Sequence, residues 1–204
     1  MKDNILDLNI PLSLWNAALH AADCAEPKFA NITLDLVNRN MYASDGRMLL
    51  GIDLDLHLFL EPQRINALDS LIAVPCAFVK RLISLGVNQV QVNLTKAKIR
   101  SMAHPKLKAD LVPPMGMAAK ILHQLPAYKT LKVLDGYKLD AYYLKKFINL
   151  VSNALDLDVN TQPKELYLAT EYIKAQSRPE GKLMPATRLT ADKFTCVIAP
   201  AKNP

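Results

Sequence analysis

Glycine is scarce in this chain, with 6 among 204 residues. Loops that cradle phosphates need glycines close together, so neither a P-loop nor a dinucleotide-binding fingerprint is present. Cysteine is equally sparse. Cys24, Cys76 and Cys196 are odd in number, far apart and without Cys-x-x-Cys spacing, which argues against a disulfide framework or a structural zinc and reads as buried or incidental thiols. Aromatic residues make up 6% of the chain, which disfavours a platform for stacking single-stranded bases. No apolar run approaches the roughly 18 residues of a membrane span, and Met1-Lys2-Asp3-Asn4 leads into alternating hydrophobicity rather than a signal peptide. The compartment expected from this is the cytoplasm. The cysteines with His20, His57, His104 and His123 form no nucleophile–base signature, and Asp53, Asp55 and His57 describe the solvent face of a strand without a fourth metal ligand. No catalytic residue, metal or cofactor is therefore expected, and the chain reads as non-enzymatic.

What is present is a repeat. Leu14-Trp15-Asn16-Ala17-Ala18-Leu19, Phe78-Val79-Lys80-Arg81-Leu82-Ile83 and Tyr143-Leu144-Lys145-Lys146-Phe147-Ile148 each run apolar, apolar, two non-core residues, apolar, apolar. From Leu14 to Phe78 is 64 positions and from Phe78 to Tyr143 is 65. A constant period of this length marks duplication of a small structural unit rather than a short-repeat solenoid. Charge is unevenly spread: residues 1–70 carry 5 Lys/Arg against 10 Asp/Glu, and residues 71–204 carry 20 against 9. The basic remainder is an argument for a polyanionic partner, not for a fold.

Local patterns fill in each unit. In the first, 5–10 alternates as a strand, Pro11 suits the first turn of a helix, Leu12, Trp15, Leu19 and Ala22 recur at helical spacing up to Glu26-Pro27, and strands follow at 32–36, 40–43 and 49–60. Leu50, Ile52, Leu54, Leu56, Leu58 and Leu60 share one face of the last. In the second unit a strand at 69–74 meets a helix opened by Pro75 and ended by Gly86, followed by strands at 87–92, 97–102 and 107–112. A connector at 113–128 contains a short helix at 118–125. The third unit has a strand at 130–134, Asp140 as helix N-cap, a buried stripe of Ala141, Leu144, Ile148 and Val151, strands at 155–159, 165–169, 172–175 and 194–199, and a polar stretch at 177–193 read as a loop with one poorly defined strand. The expected fold class is α+β: three βαβββ units, antiparallel sheets with helices on one face. Residues 1–128 hold two units (1–62 and 66–112, plus the connector), and 129–204 hold the third.

Certain segments resemble the DNA sliding clamp family, specifically the bacterial DNA polymerase III β clamp. Tyr42-Ala43-Ser44-Asp45-Gly46-Arg47-Met48-Leu49 is similar to that family's Ala-Thr-Asp-Gly-His-Arg-Leu, Val74-Pro75 to the opening of its second helix, Tyr143-Leu144 to its last helix, and Thr195-Cys196-Val197-Ile198-Ala199-Pro200 to its last strand, Val-Val-Met-Pro. The resemblance implies a ring whose helices line a channel around duplex DNA. It places Lys80, Arg81, Lys145 and Lys146 on the DNA side, contacting phosphates without sequence preference; the same pairs also describe a solvated helix face. It further implies a pocket for peptides of replication proteins, lined by Phe29, Ser44, Gly46, Arg47, Met48, Leu49, Pro126, Val197 and Ala199. Arg47 stands at the family's His, Met48 at its Arg and Ala199 at its terminal Met, and Ser44-Asp45-Gly46 also reads as a tight hairpin turn. With three units where a ring needs about a dozen, closure requires a tetramer. The alternative is a clamp-fold interaction or regulatory module, of phage or mobile-element type, that does not encircle DNA.

Overall fold

Strand exchange organises the first two units. A computed structural model describes residues 4–27, 29–54, 71–114, 141–154, 167–174 and 183–198. Unit one supplies β1 (Ile5–Asn9), α1 (Leu12–Ala21), β2 (Asn31–Asp35), β3 (Asn40–Ser44) and β4 (Met48–Asp53). Unit two supplies β5 (Leu71–Pro75), α2 (Cys76–Ser84), β6 (Gln89–Asn93), β7 (Lys98–Ser101) and β8 (Lys108–Asp110). The leading strand of each unit lies in the other unit's sheet: β1 pairs with β6, and β5 pairs with β2. Then come α3 (Ala141–Ala154), β9 (Tyr167–Lys174), β10 (Leu183–Ala191) and β11 (Phe194–Ile198). All described pairings are antiparallel, in a four-stranded sheet β1-β6-β7-β8 and a seven-stranded sheet β5-β2-β3-β4-β11-β10-β9. The fold is α+β, as expected from the repeat.

The β2–β3 and β6–β7 hairpins share a device. Each four-residue connection, Leu36 to Arg39 and Leu94 to Ala97, closes on a non-glycine residue with positive φ, 55° at Arg39 and 48° at Ala97. In each the last strand residue accepts a backbone N–H three positions on, Asp35 from Asn38 and Asn93 from Lys96, both at 2.9 Å. Asp and Asn do this because a short side-chain carbonyl or carboxylate mimics a backbone acceptor.

Helix faces follow 3.6-residue periodicity. In α1 the buried residues are Leu14, Trp15, Ala17, Ala18 and Ala21, and in α2 they are Cys76, Phe78, Val79 and Leu82. Pro75 precedes α2, and Gly86 at φ 66° follows its C-cap, as its sequence position predicts. α1 ends earlier than expected, at Ala21, with Ala22 already extended. In α3 the stripe is rotated: Phe147, Leu150, Val151 and Ala154 are buried, Leu144 is half-buried, and Ala141 and Ile148 are exposed. The larger apolar area of Phe147 decides which side turns inward. α1 lies between α2 and α3, and residues of α1, α2, α3 and both sheets form one hydrophobic core.

The main topological correction is β10. Where the sequence suggests a loop with one poorly defined strand over 177–193, that strand runs for nine residues and is bonded to both β9 and β11. Its polar Thr187, Arg188 and Thr190 are buried, so no apolar/polar alternation announces it. The two strands expected at 165–169 and 172–175 are one, Tyr167–Lys174. The strand at 107–112 is reduced to Lys108–Asp110, with an isolated bridge from Val112 to Ala73 beyond it. The expected strands at 130–134 and 155–159, the helix at 118–125, the Asp140 cap, and Asp55 and His57 lie outside the described residues.

Candidate nucleic-acid interface

Between α1 and α3 runs an open groove of about 530 Å³. α1 contributes Ser13, Asn16, Ala17 and His20, spaced i, i+3, i+4, i+7 on one face. α3 contributes Tyr142, Lys145, Lys146, Asn149 and Asn153 at the matching spacing, over a floor of Leu150 and Ala154. Hydroxyl, amide, imidazole and ammonium groups line it, and none of its lining residues is a carboxylate. Sequence reasoning points to Lys145 and Lys146 here, whereas Asn16, Ala17 and His20 look unlike a DNA-facing helix. The structure brings all five into one groove. Ser13, Tyr142, Asn149 and Asn153 escape sequence reasoning, although the i, i+3/i+4, i+7 recurrence of polar residues on α3 is the signal that could have found them.

The four predicted basic residues are not equivalent. Lys80 and Arg81 are exposed on α2, and Lys145 is exposed at the groove. Lys146 is different: its Nζ donates to Asp45 Oδ2 at 2.7 Å, with side chains only 19% and 13% exposed. That pair fastens α3 to the β3–β4 turn, so most of the charge at Lys146 is already answered within the chain. Tyr142, 64% exposed, meets Tyr143 edge to face at 5.1 Å.

The fold brings some of the peptide-pocket residues together and separates others, with the Phe29 ring set against Gly46. Ser44, Leu49 and Val197 form a cross-strand row over β3, β4 and β11, Ser44 opposite Leu49 and Leu49 opposite Val197. They are 9%, 8% and 6% exposed. Met48 is fully buried in the core, where Leu49 takes no part, because adjacent strand residues point to opposite faces. Gly46 and Arg47 are exposed at the turn tip. Pro126 and Ala199 lie outside the described residues. The hairpin reading of Ser44-Asp45-Gly46 is borne out in its bonding: Ser44 Oγ accepts the Gly46 N–H at 3.0 Å, and Asp45 Oδ1 accepts those of Arg47 and Met48 at 3.0 and 2.8 Å.

Gly46 is required at this turn for two reasons. Its φ is 88°, and a Cβ there would lie 2.7 Å from Phe29 Cε2. Gly46→Ala is expected to cost about 1–3 kcal/mol from backbone strain, with further loss from the overlap. Chemical denaturation of Gly46→Ala with and without Phe29→Ala separates the two parts: the overlap is relieved in the double variant and the strain is not.

Two buried groups near the site, a thiol and a phenol, are shifted upward. Desolvation, with Asp45 adding to it, pushes the Cys196 thiol well above its ordinary range. Burial, with Asp35 and Asp53, does the same to the Tyr42 phenol. Among the described residues no group of three His, Cys, Asp or Glu side chains is placed to hold a metal, and no helix is long and apolar enough to cross a membrane.

With this geometry in hand, comparison with known proteins gives a consistent family of solved structures. The sliding clamp of Pseudomonas aeruginosa is 12% identical at a TM-score of 0.49, over 100% of this chain and 68% of that one. What the chain is similar to is the bacterial DNA sliding clamp. The Helicobacter pylori β clamp, solved bound to a DNA ligase peptide, is 9% identical at a TM-score of 0.49, over 100% and 67%. The DNA polymerase III β chain of Streptococcus pneumoniae is 11% identical at 0.47, over 98% and 65%. The chain thus spans about two thirds of the length of these clamps. No protein-family profile matches the sequence, and no curated protein does.

Proposed function

We propose that this protein is a non-enzymatic, clamp-like DNA-binding factor whose helix face contacts the phosphates of duplex DNA without reading sequence. The observation that carries the proposal is the α1–α3 groove, rich in hydrogen-bond donors, without a lining carboxylate and with exposed Lys145 in its lining, to which α2 adds exposed Lys80 and Arg81 elsewhere on the helices. Cations and amides on neighbouring helix faces are suited to a polyanion that displaces its counterions on binding. The resemblance of the Ser44-Asp45-Gly46 and Val197-Ile198 segments to sliding clamps agrees with this reading, as does the basic charge of residues 71–204. In this proposal three-unit chains act as processivity factors, closing into a ring as a tetramer.

The test is fluorescence anisotropy on a labelled duplex across a salt series. The combined Lys80→Ala, Arg81→Ala, Lys145→Ala variant should bind more weakly at every salt concentration. The slope of log affinity against log salt should fall by roughly 0.9 for each phosphate that the variant no longer neutralises. Lys146 is excluded from the variant because its removal would disturb the fold. Duplex binding unaltered by the triple change would sink the proposal for this face. Light scattering then asks for a tetramer, and tighter retention on circular than on linear DNA asks for encirclement.

A second reading rests on its own observation, the Ser44–Leu49–Val197 row. It assigns that side of the sheet to capture of short peptides from replication proteins, with or without a ring. Leu49→Ala should weaken binding of such a peptide more than it weakens duplex affinity.

A further inference from the structure

The outer face of the four-stranded sheet carries a second concentration of positive charge. Leu6, Leu8, Val90, Val92 and Ile99 belong to the core, so alternation turns Asp7, Gln91, Lys98, Arg100 and Lys108 to the other side. Lys98, Arg100 and Lys108 are exposed, as are Lys96, His104 and Lys106 in the turns at the two ends of β7. The β7–β8 turn is anchored, the His104 N–H donating to Ser101 Oγ at 3.0 Å and the Leu107 N–H to the carbonyl of His104 at 2.8 Å. Among the described residues the carboxylates of this face are Asp7 and Asp110. Asp110 meets Lys98 at 3.8 Å with side chains 82% and 54% exposed, a pair that water largely screens. Lys106 and Lys108 have no ion-pair partner among the described residues.

One cross-strand row, Asp7–Gln91–Arg100–Lys108, is wired by hydrogen bonds. Gln91 Nε2 donates to Asp7 Oδ1 at 2.8 Å, while Gln91 Oε1 accepts from Arg100 Nε at 2.9 Å and from its Nη2. The neutral amide satisfies the carboxylate on one side and orients the guanidinium on the other, so Arg100 is held in place without being neutralised. Lys108 stands directly opposite Arg100 on the next strand. Like charges in that relation repel, and an oxyanion received between them turns the repulsion into two charge-assisted hydrogen bonds.

We infer that this face is a second polyanion surface, on which Arg100 and Lys108 hold a backbone phosphate of duplex DNA and Lys98 and Lys106 meet its neighbours. Peptide capture needs apolar anchors, whereas the register neighbours of Lys98, Arg100 and Lys108 include Asn93, Gln91 and Asp110 and no apolar side chain. A single strand needs aromatic platforms, and residues 87–112 contain no Phe, Tyr or Trp. Phosphate contact draws on charge alone. The contact is independent of the helix-face reading, because the sheet separates this surface from the core that the helices share.

The experiment is a lysine footprint of the full chain: single-hit acetylation, alone and with a duplex of mixed sequence, read by mass spectrometry, with polyglutamate of matched charge in a parallel arm. Lys98, Lys106 and Lys108 should be acetylated more slowly with the duplex, and less protected by polyglutamate. The combined Arg100→Gln, Lys108→Gln variant should lose the protection of Lys98 and Lys106 without changing the reactivity of Lys80 and Lys145 in the complex. Protection confined to Lys80 and Lys145 overturns the inference and leaves the helix-face reading standing. Protection confined to the sheet lysines does the reverse. Polyglutamate that protects the sheet lysines as well as the duplex does also overturns it, in favour of an acidic protein segment. No protection at any of these lysines overturns both.

Discussion

Phe147→Ala is expected to destabilise the protein by about 3–5 kcal/mol, the range for emptying a fully buried aromatic site. Phe147 is 0% exposed and lies in the cluster that joins α1, α2, α3 and both sheets. Its ring area cannot be recovered by collapse of neighbours that are themselves close-packed. Urea titration should show a lower midpoint with little change in slope, since a cavity alters stability and not the surface exposed on unfolding. Ile148→Ala is the control. At 37% exposure it should cost well under half as much, and equal losses at the two positions would mean that α3 does not present Phe147 to the core.

Asp45→Ala ranks second, at about 2–4 kcal/mol. The carboxylate of Asp45 takes two backbone N–H groups from the turn and the ammonium of Lys146 at 2.7 Å. Removing it leaves two donors of a tight turn without their acceptor and a cation that is mostly shielded from water. The residual exposure of both side chains keeps the figure below that of a fully buried pair. Asp45→Asn separates the contributions. The amide oxygen can still accept from the turn, while the charge opposite Lys146 is gone, so a loss of about half is expected. Thermal denaturation of both variants beside Lys146→Met reads the coupling: if α3 is fastened to the β3–β4 turn, the double change costs clearly less than the two single changes summed.

Most of the chain's elements are legible because burial periodicity is written in apolar side chains. Trp15, Val79 and Leu82 repeat on helices, and Leu6 and Leu8 alternate on β1; all are buried where the pattern puts them. The hidden parts are those held by the backbone ladder or by competition between residues. β10 has Pro185 and a buried run of Thr187, Arg188 and Thr190, so its position between two strands, not its composition, makes it a strand. On α3 two apolar registers compete, and the one with Phe147 wins. Strand exchange between the first two units is equally silent in the sequence, since β1 would alternate in the same way against any partner.

For the site, charge is visible in the sequence and its pairing is not. Four basic residues are legible as a set, but only the fold shows that Lys146 answers Asp45, 101 residues away. Polar residues on α1 look out of place for a DNA-facing helix until α3 is set beside them. The resemblance in the Ser44-Asp45-Gly46 segment points to residues that do meet, Leu49 and Val197, and also to Met48, whose side chain the pleat sends the other way.

The pairing of β4 with β11 sets the order in which this protein can be made. Leu50 finds its ladder partner in Cys196, and Ile52 in Phe194. While the chain is being synthesised, β2, β3 and β4 emerge with an unsatisfied flank that stays open until β11, which begins at Phe194, 141 positions after β4 ends at Asp53, has followed. Contacts this distant slow folding and leave an aggregation-prone edge in the interval. A nascent chain arrested before Phe194 should therefore be more chaperone-dependent than one that has already released β11.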